Sequence, residues 1–273
     1  MRKFLLFLSL SVLTIIISTI IILSIIGYET DRFNSFLEQK LSHNIPNLKV
    51  KLENIKIKID LKKISFFITT PNPDIKFYDS KINFEKVNAY INFKSLLINE
   101  PDIESIYVVS RKIDINQAKN FIKYTKPSNS KKFFLNNVNK GSINFNLKFL
   151  LKNNEITDYE IDGFVKNFDA NFKNFDFKNG TFVYYIGKNS GEIQNVRGNL
   201  NNVIINTGLI KYDNNNLLKI SGKISSEAQL NKDQIDKLLP KDWKKIIEVN
   251  NLKGNISSVF DIKFDNTLKL EDY

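Results

Sequence analysis

Cysteine is absent from the 273 residues, and histidine and tryptophan occur once each. Without cysteine the chain has no disulfide framework and no thiolate chemistry. A single histidine leaves no Ser-His or Cys-His relay, and His43, with no second His or Cys beside it, reads as a surface residue. No glycine-rich phosphate loop joins a strand to a helix. Asp162, Asp169 and Asp176 recur, but each fits the solvent phase of a strand or a turn, and none has a partner carboxylate at metal-ligand spacing. The chain therefore reads as a non-enzyme with no metal site and no cofactor. It carries 40 Lys and Arg against 29 Asp and Glu. The lysines are scattered through the strands as the polar half of an alternation (Lys49, Lys51, Lys56, Lys58), with no arginine-rich stripe, so nucleic acid is not the expected partner.

What the chain has in quantity is alternation. In Ser142–Leu151 the odd positions Ile143, Phe145, Leu147, Phe149 and Leu151 are all apolar, while four of the five even ones are polar. Period two means a strand with one apolar and one wet face. The same pattern fills most of the chain.

The exception is the start. Phe4–Ile26 runs 23 residues without a charge, behind Arg2 and Lys3. At about 1.5 Å per residue it spans roughly 34 Å, enough to cross a hydrocarbon core of about 30 Å. It is longer than a signal-peptide core and lacks a small-x-small cleavage site at Ile25-Ile26-Gly27. Residues 1–27, with Phe4, Ile15 and Ile26 as markers, thus read as an uncleaved single-pass anchor. Arg2 and Lys3 should keep the N-terminus cytoplasmic and send the bulk of the chain out, in a bacterium into the periplasm.

Residues 28–44, with Phe33, Phe36, Leu37 and Leu41 at helical spacing, are expected to form an amphipathic helix. Residues 45–126 read as a β unit. Its strands are Leu48–Leu52, Ile55–Leu61 after a slip at Glu53-Asn54, Ile64–Ile68, Lys76–Phe84, Val87–Phe93 and Ile103–Val109, followed by a short helix over Asn116–Tyr124. Polar, breaker-rich residues 127–137 read as a linker. Residues 138–230 form a second β unit, divided by Asn- and Gly-built turns. In it Tyr159–Val165 and Phe168–Phe172 are separate strands, as are Phe175–Phe177 and Thr181–Ile186, and Val203–Ile205 and Leu209–Tyr212. Asn231 looks like the N-cap of a helix over 231–248 that includes Trp243 and is kinked at Pro240. Residues 249–273 begin another β unit. The pattern is still running at Tyr273, as in the N-terminal part of a longer chain.

An apolar-x-Gly-x-apolar text recurs at Ile161–Val165, Val196–Leu200, Ile220–Ile224 and Leu252–Ile256. Glycine weakens a strand, so its recurrence points to bends, close backbone approach or bulges. Two architectures fit. Either two sheets bury their apolar faces together, or one sheet coils into a trough whose face stays open to an apolar ligand.

The order of parts resembles one known group. An anchor leads to a short helix and Ile45-Pro-Asn-Leu-Lys-Val50. A β unit follows with Val87-Asn-Ala-Tyr-Ile-Asn-Phe-Lys-Ser-Leu-Leu97 and Ile103-Glu-Ser-Ile-Tyr-Val108. Later come Asn195–Leu200, Gly208–Tyr212 and Ile220–Ile224. Over essentially its whole length this is similar to the AsmA-like superfamily of YhdP and TamB type. The resemblance implies a mostly β fold: an N-terminal transmembrane helix, then a long, strongly twisted antiparallel sheet forming an open groove, with a few short helices. It further implies a bridge-like carrier holding phospholipid acyl chains between the inner and outer membranes, with an outer-membrane or periplasmic partner. The expected lining is Ile143, Phe145, Leu147, Phe149, Leu151, Phe168, Phe172, Phe182 and Tyr184. Family members are often longer than this chain. The alternative is a membrane-tethered assembly scaffold for outer-membrane proteins that pairs sheet edges with client strands. A polysaccharide-binding domain would be expected to show exposed Trp and Tyr platforms.

Overall fold

The computed structural model describes residues 2–31, 34–35, 38, 47–62, 65–91, 102–152, 155–172, 175–201, 203–215, 217–238, 250–264 and 270–272. His43 and Trp243 fall outside them, as do residues 239–248 of the expected C-terminal helix.

Helix α1 covers Arg2–Ile25, and its Lys3–Ile25 stretch has a mean hydropathy of 2.7 with no part buried against the protein. Three of its six hydroxyls bond back to the helix: Ser9 donates to the Leu6 carbonyl, Thr14 to Leu10 and Thr19 to Ile15. Back-bonding of this kind lowers the cost of a hydroxyl in an apolar medium. The helix is long and apolar enough to anchor the chain in one pass.

The rest is mostly strand. In chain order the strands are β1 (Tyr28–Thr30), β2 (Leu48–Lys51), β3 (Ile55–Asp60), β4 (Ser65–Pro71), β5 (Asp74–Phe77), β6 (Ser80–Ile91), β7 (Ile103–Ser110) and β8 (Ile113–Asp114). After helices α2 (Ile115–Ile122) and α3 (Asn129–Asn137) come β9 (Val138–Lys152), β10 (Glu155–Phe172), β11 (Phe175–Gly187), β12 (Ser190–Leu200), β13 (Val203–Asp213) and β14 (Leu218–Asn231). Helix α4 (Lys232–Leu238), β15 (Asn251–Phe264) and β16 (Leu270–Asp272) complete the order. The strands make one open antiparallel sheet, ordered β1-β3-β4-β6-β7-β9-β10-β11-β12-β13-β14-β15-β16, with β2-β5 and β8 attached at the side. The expected mostly-β class therefore holds: an apolar N-terminal helix, then one open antiparallel sheet of many strands with a few short helices.

The chain divides into two compact units, residues 1–110 with 147–159, and 111–146 with 160–273. The expected division at 127–137 is corrected by this. Asn129–Asn137 is helix α3, started by Ser128, whose hydroxyl accepts from the Lys131 amide at 3.1 Å. What reads as a breaker-rich linker is a helix N-cap followed by its first turn. Helix α2 is where expected, and Asp114 and Gln117 close a capping box on it.

In the first unit, Tyr28–Thr30 is a strand paired with β3, where the sequence suggested helix. Asn34, Ser35 and Glu38 are helical. The slip at Glu53-Asn54 is a true turn, because β2 pairs with β5 while β3 pairs with β1 and β4. Val50, Leu52 and Ile55 form a small core with Leu48, Ile68 and Ile75 packed on it. The expected strands Lys76–Phe84 and Val87–Phe93 are divided differently: the chain turns at Tyr78-Asp79, and Ser80–Ile91 is continuous. Tyr78 turns there at φ +54°. Across β3-β4-β6-β7 the row Ile57, Ile68, Ala89 and Ile106 lines one face. On the other, Phe67 stacks on Tyr90 at 5.1 Å, Tyr90 meets Tyr107 at 5.2 Å, and the Lys148 ammonium lies 5.9 Å from the Tyr107 ring.

In the second unit, three expected strand pairs are each one strand. Tyr159–Val165 and Phe168–Phe172 both belong to β10, Phe175–Phe177 and Thr181–Ile186 to β11, and Val203–Ile205 and Leu209–Tyr212 to β13. The phase slips that read as turns are β-bulges. The register shifts at Val165/Phe168, at Lys178/Thr181 and at Ile205/Thr207. Asn167 and Asn179 take φ of +51° and +53° at the first two, and Asn195 takes +54° opposite a further shift at Thr181/Val183. Asparagine tolerates that left-handed conformation better than most residues. Each extra residue bends its strand and returns the apolar positions to the face they would otherwise leave.

Candidate apolar binding face

The ladders of the second unit place side chains in rows across the strands. One row runs Ile161, Ile186, Gly191, Tyr212, Ile220, Ile262, and the next Gly163, Tyr184, Ile193, Ile210, Gly222, Phe260. On the reverse face one row runs Asp162, Tyr185, Glu192, Lys211, Ser221, Asp261. There Lys211 pairs with Glu192 at 3.6 Å and Lys219 with Asp261 at 3.0 Å. One face is thus apolar over six strands, while the other carries this polar row beside a row with exposed Phe164, Val183, Leu209 and Val259.

The apolar rows are not sealed. Ile161, Ile186, Ile193, Ile210, Ile220, Phe260 and Ile262 are all half-buried, neither core nor fully exposed. Among the described residues, cover lies at the ends. At one, Ile115 of α2 lies against Gly141, and Phe133 of α3 meets Phe172 at 5.4 Å. At another, Ile235 of α4 packs with Ala228 and Val203.

The glycines sit on this face, and rings from neighbouring strands lie over several of them. A Cβ on Gly163 would run into the Asn144 carbonyl and come 2.8 Å from the Tyr184 hydroxyl. One on Gly198 would meet the Phe177 ring at 2.7 Å, and one on Gly222 the Phe260 ring at 2.5 Å. The glycine leaves a hollow that an aromatic from the next strand fills by lying down on the sheet. The recurrent text reflects close approach at these three sites. At Gly254 nothing lies within 4 Å.

Tyr184 is the most constrained of these rings. It is buried, its hydroxyl donates to the Asn144 carbonyl at 3.1 Å, and burial, with Asp162 adding to it, holds its phenol well above the ordinary value. On the reverse side a contact to Asp176 at 2.7 Å raises the Lys178 ammonium.

The residues expected to line a groove have several environments. Asn146 donates to the Asp162 carboxylate at 2.8 Å, so it lies on the polar face, and alternation puts Ile143 and Phe145 on the apolar one. In the first unit Lys148 lies over Tyr107, which by the same rule turns Leu147, Phe149 and Leu151 to the opposite side. All five are half-buried. Phe168 packs on Phe182 at 5.6 Å and on Phe177 at 6.2 Å, one aromatic cluster around Gly180 and Gly198. Phe172 is exposed against α3, and Tyr184 forms floor rather than accessible lining. Phe4 and Ile15 are exposed on α1, and Ile26 is exposed in the turn after it.

Sequence reasoning missed the half-buried isoleucines of β10–β15 that make up most of the two rows. The signal was present in Ile161, Ile193, Ile210 and Ile220. Singling out the phenylalanine-rich stretches favoured size over position along the ladder. No family model, curated protein or solved structure matches the chain.

Proposed function

We propose that this is a bacterial inner-membrane-anchored protein, its N-terminus cytoplasmic and its sheet periplasmic, that carries phospholipids between the two membranes by holding acyl chains on the apolar face. The reading places it with the AsmA-like carriers and assigns it no catalytic step. One observation carries it: two adjacent rows free of charged side chains, with seven half-buried apolar residues, cross six strands, whereas the nearest reverse-face row holds Asp162, Glu192, Lys211 and Asp261. A monomer seldom leaves so much contiguous apolar surface open without a ligand. Acyl chains suit it because the rows hold no charged group to pair with a polar ligand.

The test uses the full chain in cells or vesicles, with a photo-crosslinking residue at Ile210 or at Leu209, its neighbour on the reverse face. Phospholipid adducts are expected at Ile210 and not at Leu209. Ile193→Asp and Ile210→Asp should abolish lipid retention while the strand circular dichroism signal persists. Equal labelling of both faces would refute the proposal.

The scaffold alternative has its own support. Residues 251–259 of β15 are exposed along the strand, and among the described residues β16 pairs only with Lys263 and Phe264. Cross-linking from Val259 to unfolded barrel proteins, with no lipid adduct at Ile210, would favour it.

A further inference from the structure

We infer that the β3–β4 hairpin is docked on the bilayer beside the anchor, latched there by Gly27 and Lys58. The inference needs α1 to be a membrane helix but not that the sheet carries lipid.

The argument begins with the end of α1. The Gly27 amide bonds back to the Ile22 carbonyl at 3.1 Å, and Gly27 takes φ +79°. Glycine is the residue that ends a helix this way without strain. Strand β1 begins at Tyr28, so no linker separates the helix from the sheet. A Cβ at Gly27 would stand 2.8 Å from the Lys58 side chain and 3.0 Å from the Ile57 carbonyl. The helix end is thus seated directly on β3. Lys58 then donates from its ammonium to the Ile25 carbonyl at 2.8 Å, a cation on the negative end of the helix dipole. Beside it, Glu29 takes the Asn54 amide at 2.6 Å and lies 3.4 Å from Lys56.

The register then sets direction. Tyr28 pairs with Ile57 and Thr30 with Ile55, antiparallel. Strand β1 leads away from the helix, so β3 runs toward it, and the residues after Lys58 pass the helix end toward the membrane side. Leu61, more than half exposed, sits at that tip, and Ile59 and Phe66 pair across the hairpin just behind it. At about 1.5 Å per residue the 24-residue α1 is about 36 Å long. Crossing a core of about 30 Å, it ends at the headgroup layer. A hairpin that carries exposed Leu61 beside Lys62, aimed back at that level and fixed to the helix by the Gly27 and Lys58 contacts, meets the bilayer with an apolar side chain for the acyl region and a cation for the headgroups.

The chain has no cysteine, so one introduced cysteine takes a spin label cleanly. The full chain in phospholipid vesicles would be labelled at Leu61 and, as a control at the far end of the same unit, at Lys86. Accessibility to oxygen, which partitions into lipid, is compared with that to a water-soluble nickel chelate. Preference for oxygen is expected at Leu61 and for the chelate at Lys86. Lys58→Gln, which changes one surface contact, should reduce the oxygen preference at Leu61, and Gly27→Val should remove it. A Leu61 label as aqueous as the one at Lys86 would overturn docking. An oxygen preference untouched by both substitutions would overturn the latch. Should Gly27→Val disturb folding, the Leu61 and Lys86 readings in the otherwise unaltered chain and the Lys58→Gln comparison still decide.

Discussion

Strands β10–β13 and the pair β14–β15 belong to the same sheet and carry the same kind of text, yet they are built differently. From β10 to β13 the ladders break and restart at bulges, and Asn167, Asn179 and Asn195 absorb the extra residues in a left-handed turn. Between β14 and β15 the register runs from Leu218↔Phe264 to Asn231↔Asn251 without a shift. The comparison teaches that bending is local to the slips, where left-handed asparagines recur, with Gly198 beside them at φ +155°, and that a strand glycine by itself does not break a ladder. Gly222 and Gly254 lie in the unshifted ladder, and they bend nothing. Glycine's task is to let the neighbouring ring or backbone come close.

If that division of labour is right, the largest effect of a single methyl should come where backbone, not a side chain, occupies the space. Gly163→Ala drives a Cβ into the Asn144 carbonyl and against the Tyr184 hydroxyl. Because a carbonyl in a ladder cannot rotate away, the strands must part. The expected loss is about 3 kcal/mol, at the upper end for overpacking. Urea unfolding of the full chain in detergent checks it, and a loss below about 0.5 kcal/mol, the scale of ordinary surface changes, would mean that the glycine site is slack.

Much of this was legible in the sequence. Alternation over Ser142–Leu151 announces β9, the charge-free run announces α1, and Asp114 with Gln117 is the cap of α2. The strand count was the failure. A change of apolar phase looks the same in a sequence whether the chain turns back or bulges and goes on. At Asn179-Gly180 it goes on, and only the pairing of Phe168 with Gly180 reveals it. The face was legible for its kind and not for its exposed residues. Tyr184 is large enough to lie over the Gly163 hollow and so removes itself from the surface, while the smaller isoleucines beside it stay half-buried. Periodicity assigns a residue to a face. It does not say how deep the residue lies there.

A smaller effect separates floor from lining. Tyr184→Phe keeps the ring over Gly163 and removes only its hydrogen bond to Asn144. About 1 kcal/mol should be lost at neutral pH. The alkaline response has a definite sign. The folded phenol is held above its ordinary value, so the folded state keeps a proton that the unfolded chain releases from about pH 10 upward. Tyr184 thus stabilises the fold fully below that pH and progressively less above it. The wild-type chain should weaken more between pH 9 and 11.5 than the Phe variant. Parallel pH curves would show that the hydroxyl reaches solvent.

The smallest effect tests the comparison from its regular side. Gly222 and Gly254 share one unshifted ladder and one text, but Phe260 lies over the first, and nothing lies within 4 Å of the second. Gly254→Ala meets no atom and lowers the entropy of the unfolded chain, so it should be neutral or stabilising by about 0.4–1 kcal/mol. Gly222→Ala must displace the Phe260 ring and press on the Leu209 carbonyl at 2.8 Å, so it should destabilise. Opposite signs from one substitution in adjacent strands would isolate the covering ring and carbonyl as the cause, since backbone pairing is common to both. Equal losses would instead mean that strand glycine is needed here for its own flexibility, and the distinction between bending at the slips and close approach at glycine would fail.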